Sequence, residues 1–272
     1  MVVGQLNKIL VLFLLIIFSN QNLNAVEFKG KFNQGSFILG KTSPGAKVKI
    51  DNKDVLVSND GYFVFGIGRD RKNDLTIRII KDQKLEIITK KVFKRKYKIQ
   101  RIDGLPEKKV TPPKEVYERI KRENKIIADA RAIESDLTFF TKKFINPLDK
   151  AIVTGVYGSQ RILNGKPKWP HYGIDFAAKE GTKIKAMLDG TATMVEPDLF
   201  YTGGTLIFDH GHGISTLYMH IKDIYVKNGQ KVKQGEIIGT VGSTGRSTGP
   251  HLDVRLNWFG VRLDPATVLN LN

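Results

Sequence analysis

The side chains of this sequence that can hold a cation or carry protons lie towards its C-terminal end. The histidines stand at positions 171, 210, 212, 220 and 251, and Asp175 and Asp253 stand beside two of them. His171 and Asp175 are four apart in a stretch, Tyr172-Gly173-Ile174-Asp175-Phe176, that reads as extended, so imidazole and carboxylate face the same way. From His251 to Trp258 polar and apolar residues alternate. As a strand this stretch turns His251, Asp253, Arg255 and Asn257 to one face and buries Leu252, Val254, Leu256 and Trp258 on the other. A neutral imidazole and carboxylates are ordinary ligands of a divalent ion, and a catalytic site needs about three of them with one position open. His171, Asp175 and Asp253 are the candidate ligands. His220 and His251 are then left for proton transfer, which an imidazole does near neutral pH. The chemistry implied is metal-assisted hydrolysis. His210 and His212, in Asp209-His210-Gly211-His212-Gly213, are candidates for turn or supporting groups.

The elements that must position these groups are short and glycine-punctuated. From about Asp149 onward, candidate strands cover 182–186, 191–195, 205–209, 214–220, 231–232, 236–241 and 251–258, with glycines between them. The glycine-rich stretch 242–249 lacks the Gly-Lys-Ser/Thr ending of a phosphate loop and leads into a strand, so it is read as the turn that places His251. Arg246 or Arg255 could meet a substrate carboxylate.

Upstream, residues 26–103 read as short strands separated by turn formers such as Pro44-Gly45 and Asn59-Asp60-Gly61, the pattern of a small β-sandwich. Its turns loosely resemble immunoglobulin-like modules of exported bacterial proteins, as a binding module or a spacer. Residues 104–148 form a linker. Within it Val116, Ile120, Ile127, Ala130 and Ile133 recur at helical spacing, which predicts one amphipathic helix over about 114–135. That helix could also shield the cleft, a point that its sequence leaves open.

Composition limits the partners. A formal charge of +17 predicts attraction to a polyanion, and the absence of cysteine excludes thiol catalysis and disulfides. At the N-terminus Lys8, the apolar run Ile9–Phe18, polar residues and Ala25 have the layout of a signal peptide, residues 1–25; the apolar run is short of the roughly 20 residues that span a bilayer. Export, to a periplasm or beyond the cell, argues against nucleic acid and for an anionic envelope polymer. After cleavage the chain is expected not to be an integral membrane protein.

Several ordered blocks between Thr154 and Pro265 then make a resemblance. They are His171-Tyr-Gly-Ile-Asp175-Phe, Gly181-Thr with Ala186 and Asp189-Gly190, Tyr218-Met-His220, Val226 with Gly229-Gln, Val232 with Gly235, and Gly242-Ser-Thr-Gly-Arg-Ser-Thr-Gly-Pro-His251. In these the chain resembles the lysostaphin-type, LytM-like zinc endopeptidases that cut peptide cross-links of peptidoglycan. The resemblance implies a mostly β protein whose C-terminal domain, 149–272, is a β-barrel-like duplicated hybrid motif with a groove holding Zn²⁺. It implies His171 and Asp175 as ligands, His220 and His251 as the proton-handling pair, and peptidoglycan stem peptides as substrate. Where the family carries His-x-His this chain has His251-Leu252-Asp253. An aspartate third ligand makes the set harder, so another divalent ion such as Mn²⁺ could replace zinc. The alternative is a catalytically degenerate relative that binds wall peptides or activates another hydrolase.

Overall fold

The computed structural model describes residues 26–150 and 152–269, so the expected signal peptide, residues 1–25, lies outside the described residues. Alternating β-rich runs fold into seven N-terminal strands: β1 (Glu27–Lys29), β2 (Phe37–Lys41), β3 (Lys47–Ile50), β4 (Lys53–Val55), β5 (Tyr62–Gly66), β6 (Leu75–Lys81) and β7 (Lys84–Lys90). They make two antiparallel sheets, ordered β1-β2-β5 and β4-β3-β6-β7. In β6, Leu75, Ile77 and Ile79 are buried while Thr76 and Arg78 are half-buried, as a strand period of two requires. The inward side chains of both sheets join one core that continues into the C-terminal half through Phe144, Trp258 and Leu263.

Then follow β8 (Ile99–Ile102), a short helix α1 (Glu107–Val110) and the helix α2 (Tyr117–Ala132). The buried Ala130, with Ile126 and Ile127 partly buried, sets α2 against Met194, Leu199, Ile207, Leu217 and Met219. Glu123 docks the other end: its carboxylate accepts from Arg119 at 2.6 Å and from the backbone N–H of Phe200 at 2.8 Å. Among the described residues no helix is long and apolar enough to cross a membrane.

The remaining strands are β9 (Ile152–Gly155), β10 (Gln160–Leu163), β11 (Lys166–Pro167), β12 (Ile174–Ala177), β13 (Lys183–Lys185), β14 (Gly190–Leu199), β15 (Gly203–Gly211), β16 (Ile214–Ile224), β17 (Lys231–Val232), β18 (Ile237–Val241), β19 (His251–Trp258) and β20 (Val261–Leu263). The main sheet runs β17-β14-β15-β16-β19-β12-β9, with β18 pairing β13 and β16, and β20 pairing β19. The barrel-like closure expected from the sequence is not found: this path is open. The physical reason lies in β16, whose residues Ile214–Met219 pair with β19 whereas Ile221 and Ile224 pair with β18. Between them His220 has a φ of 64°. The strand turns there and feeds two neighbours in succession. A third small sheet, β11-β10-β8, includes a parallel pairing of β8 with β10.

Candidate metal centre

β12 and β19 run antiparallel in a register that puts Asp175 directly opposite Asp253 and Ala177 opposite His251. Two carboxylates facing one another across strands repel unless positive charge lies between or beside them. His171 supplies part of the answer from outside the strands. It lies three residues before β12 in a segment held by its own N–H, which donates to the Ser159 carbonyl, and its carbonyl, which accepts from Gly158 N–H. Its Nε2 lies 3.0 Å from Asp175 Oδ1 and 3.3 Å from Asp253 Oδ2. Backbone and carboxylates approach too closely here for larger residues: a Cβ on Gly173 would lie 2.3 Å from Asp253 Oδ1, and one on Gly155 would lie 2.1 Å from Asp175 Oδ2.

All three side chains are buried, and their ligand atoms lie within 4.8 Å of one another. About 3.3 Å separates adjacent ligand atoms of a tetrahedral ion with bonds of about 2.0 Å, so this set fits a divalent cation. Asp175 Oδ1 also has no hydrogen-bond partner among the described residues, which is costly for a buried oxygen unless something else meets it.

Two arginines hold the carboxylates from outside. Arg161 donates to Asp175 Oδ2 at 2.7 Å, and Arg255 donates to both oxygens of Asp253 at 3.1 and 3.3 Å. Burial works to raise the Asp253 carboxyl, but Arg255 and His171 more than offset it and hold it well below the usual carboxylate range. Burial likewise opposes ionisation of Asp175, and the close approach of the His171 ring leads the influences that lower it. For His171 burial acts downward, yet the two carboxylates win and its pKa is raised. Both carboxylates are therefore anionic at neutral pH.

His220 and His251 sit beside this cluster with ring centroids 4.6 Å apart. Burial, reinforced by His251, pushes His220 down to about 4, so its imidazole is neutral at pH 7. Its Nδ1 lies 2.7 Å from the Thr244 carbonyl, which fixes the proton on Nδ1 and leaves the lone pair on Nε2. His251 Nδ1 is set in the same way, 2.8 Å from the Gly249 carbonyl. Both rings thus have Nδ1 committed to a carbonyl, which leaves Nε2 as the ring nitrogen for proton transfer. His220 keeps its left-handed backbone where its N–H donates to the Thr202 carbonyl. A non-glycine residue held there is backbone strain at a site with chemistry to do.

All five residues singled out from the sequence therefore come together. His210 and His212 do not. His210 is buried between the Asp189 carbonyl and the Thr216 hydroxyl, and His212 lies 4.7 Å from the Phe140 ring, so both serve the core. Arg255, read as a substrate contact, is taken up by Asp253; its place two residues along the same strand face was a signal for that pairing. Arg161 left no such signal, being fourteen residues from Asp175 and on another strand. The cleft has two lobes, of about 690 and 340 Å³. The helix α2 with Val110 and Pro112 lines the first, and Gln100, Ile102 and Leu105 the second, so the segment between the two halves of the chain walls the cluster on both sides.

Residues 169–265, which hold all five site residues, match peptidase family M23. The chain is 41% identical over 99 residues to a metalloprotease of Haemophilus influenzae, covering 36% of this chain and 21% of that one. It is 37% identical over 125 residues to the peptidoglycan DD-endopeptidase ShyC of Vibrio cholerae, covering 45% of this chain and 28% of that one. The chain thus spans between a fifth and a third of the length of these relatives. A crystal structure of a peptidase M23 protein from Pseudomonas aeruginosa is similar over 88% of this chain and 94% of that one, with a TM-score of 0.67 and 26% identity. The likeness to this last protein extends well beyond the matched segment, and within residues 169–265 the chain carries a domain of peptidase family M23.

Proposed function

We propose that this chain is an exported, metal-dependent endopeptidase that hydrolyses peptide cross-links of peptidoglycan, acting in the periplasm or outside the cell. The observation that carries the reading is the convergence of His171, Asp175 and Asp253 with the imidazoles of His220 and His251 beside them. The name of the Vibrio relative supports the substrate class. His171, Asp175 and Asp253 would hold Zn²⁺ or another divalent ion. When bound, such an ion supplies Lewis acidity for polarising a scissile carbonyl and acidifying water. The protein's own part is proton handling. With Nδ1 pinned by a carbonyl, His220 or His251 accepts a proton at Nε2 and returns it to the leaving amine. The buried Arg255 holds the Asp253 carboxylate anionic and in place. The N-terminal sheets are read as an immunoglobulin-like spacer or binding module.

One observation favours a second reading. Each carboxylate already has an arginine, so the cluster has charge compensation of its own, as a non-catalytic wall-peptide binder or activator of another hydrolase would need. Digestion of purified sacculi by the mature chain separates the two. We expect muropeptide release that chelator abolishes and that Asp253→Ala and His220→Ala reduce by about a hundredfold or more. Absence of both stoichiometric metal and released muropeptides would leave the binder reading.

A further inference from the structure

The larger lobe of the cleft has more positive charge than its own carboxylates can balance. Among its described lining residues Asp253 is the sole acid, and it is held by Arg255; Arg161 is likewise held by Asp175. Three further arginines face the same lobe with no carboxylate within ion-pair distance among the described residues.

Arg131, on the last turn of α2, is 8% exposed; its Nε donates to the Ile127 carbonyl at 3.1 Å, and its buried Nη1 has no hydrogen-bond partner among the described residues. Arg262, on β20, donates from Nη1 to the Asn257 side-chain carbonyl at 3.0 Å, and burial alone pushes its pKa down to about 10. Arg246 donates to the Lys109 carbonyl at 3.3 Å and stacks 4.6 Å over the Tyr201 ring. Neutral carbonyls partly solvate these guanidinium groups and do not neutralise them. A buried charge without a counter-charge is expensive, and it is commonly retained where a ligand completes the pair.

The spacing indicates what that ligand is. Asn257, paired in register with Arg262, lies four residues beyond Asp253 on β19, about 13 Å along an extended strand. An extended peptide lying along this floor with a backbone carbonyl at the metal-ligand cluster carries its next few residues past Arg255 to Arg262. A planar guanidinium fork matches a carboxylate bidentately, and a lobe of about 690 Å³ suits a short peptide.

We propose that Arg131, Arg246 and Arg262 form a carboxylate-recognition subsite, which makes the larger lobe specific for peptides bearing free carboxylates within a few residues of the bond at the cluster. The assignment rests on the peptide-substrate reading above and deepens it: the three arginines determine specificity and take no part in bond cleavage.

The test is binding, which needs no turnover. The full mature chain, with chelator present, is titrated calorimetrically with a synthetic acidic tetrapeptide having free α- and side-chain carboxylates, and with its fully amidated counterpart. We expect the acidic peptide to bind wild type at least about tenfold more tightly. In Arg262→Gln and in Arg246→Gln that preference should shrink to about twofold or less. Equal binding of the two peptides by wild type overturns the proposal, whatever the variants do, and so does a preference that both variants retain. A third arm uses a synthetic polyglycerol phosphate: tighter binding of that polymer than of the acidic peptide, lost in Arg262→Gln, overturns the peptide assignment in favour of a phosphodiester polymer. Failure of the peptidase reading shows separately, as absent hydrolysis in the metal-loaded protein, and leaves this binding comparison decided on its own terms.

Discussion

At the scale of single residues, the two facing carboxylates pose an electrostatic problem that Arg161 and Arg255 answer. Asp175 and Asp253 face one another in register, buried, with a single imidazole between them. Two carboxylates alone would cancel the charge of a divalent ion; with two guanidinium groups outside them, a net positive centre remains once an ion is bound. Replacing Arg255 therefore has a cost that depends on what else neutralises Asp253. In metal-free protein we expect Arg255→Met to lower stability by about 3 kcal/mol, because it strands a buried carboxylate. In metal-loaded protein the loss should be smaller, since the ion compensates the same charge. Denaturant melts of wild type and variant with chelator and with added Zn²⁺ check this. An equal loss in both conditions would mean that Asp253 does not share its charge with a bound ion.

At the scale of elements, the cluster depends on a bend and on a wall. The bend is the switch in β16 at His220, where one strand leaves β19 and takes up β18. It brings His220 beside His251 although the two are far apart in sequence. The wall is α2 with the segment before it. Its anchor is Glu123, 7% exposed and bonded to Arg119 and to the Phe200 N–H. Glu123→Ala leaves that buried N–H without a partner, at a cost of about 1–3 kcal/mol. We expect faster amide exchange over Tyr117–Ala132, read by hydrogen–deuterium exchange, while exchange in β12 and β19 stays slow. Equal acceleration in all three elements would show that α2 does not open separately from the sheet.

At the scale of the whole molecule, the two halves of the chain share one core. Arg95 bonds Asp264 at 2.7 Å, the Asp264 N–H donates to the Gly35 carbonyl, and Phe37 stacks edge-on with Phe144 at 6.1 Å. Leu263, fully buried, belongs to the same cluster as the N-terminal phenylalanines. Leu263→Ala should cost about 2–5 kcal/mol and lower one common unfolding transition for both halves in calorimetry. Two separated transitions, with only the later one shifted, would show that the halves fold independently. The pH response follows from His210. Its burial moves the imidazole from 6.5 in the unfolded chain to about 4 in the folded one. Between those values the unfolded state binds the additional proton. The contribution is thus fully present above about pH 6.5 and is lost as pH falls towards 4, by about 3 kcal/mol in all. Denaturant melts across that range should show a shallower pH dependence in His210→Gln than in wild type.

Much of this was legible in the sequence because its periodicity and residue chemistry are local. Alternation located β19, and the helical spacing of Ile120, Ile127 and Ala130 located α2, with ends a few residues inside the expected range. The five candidate residues stood out by their types and ordered spacing, and the structure brings them together. The short strands β10, β11 and β20 were not, since two to four residues are too few to show a period, and β8 and β9 were not, since each is made by pairing with a distant strand rather than by its own pattern. Arg161 was hidden for the same reason. By itself the sequence determined that His171, Asp175 and Asp253 could ligate and that His220 and His251 could carry protons. Only the tertiary structure decided that Asp253 faces Asp175 and is braced by Arg255, that the sheet stays open, and that three arginines with no carboxylate partner among the described residues turn towards the same cleft. Register, burial and the balance of buried charge are relations between distant segments, and no local stretch of sequence contains them.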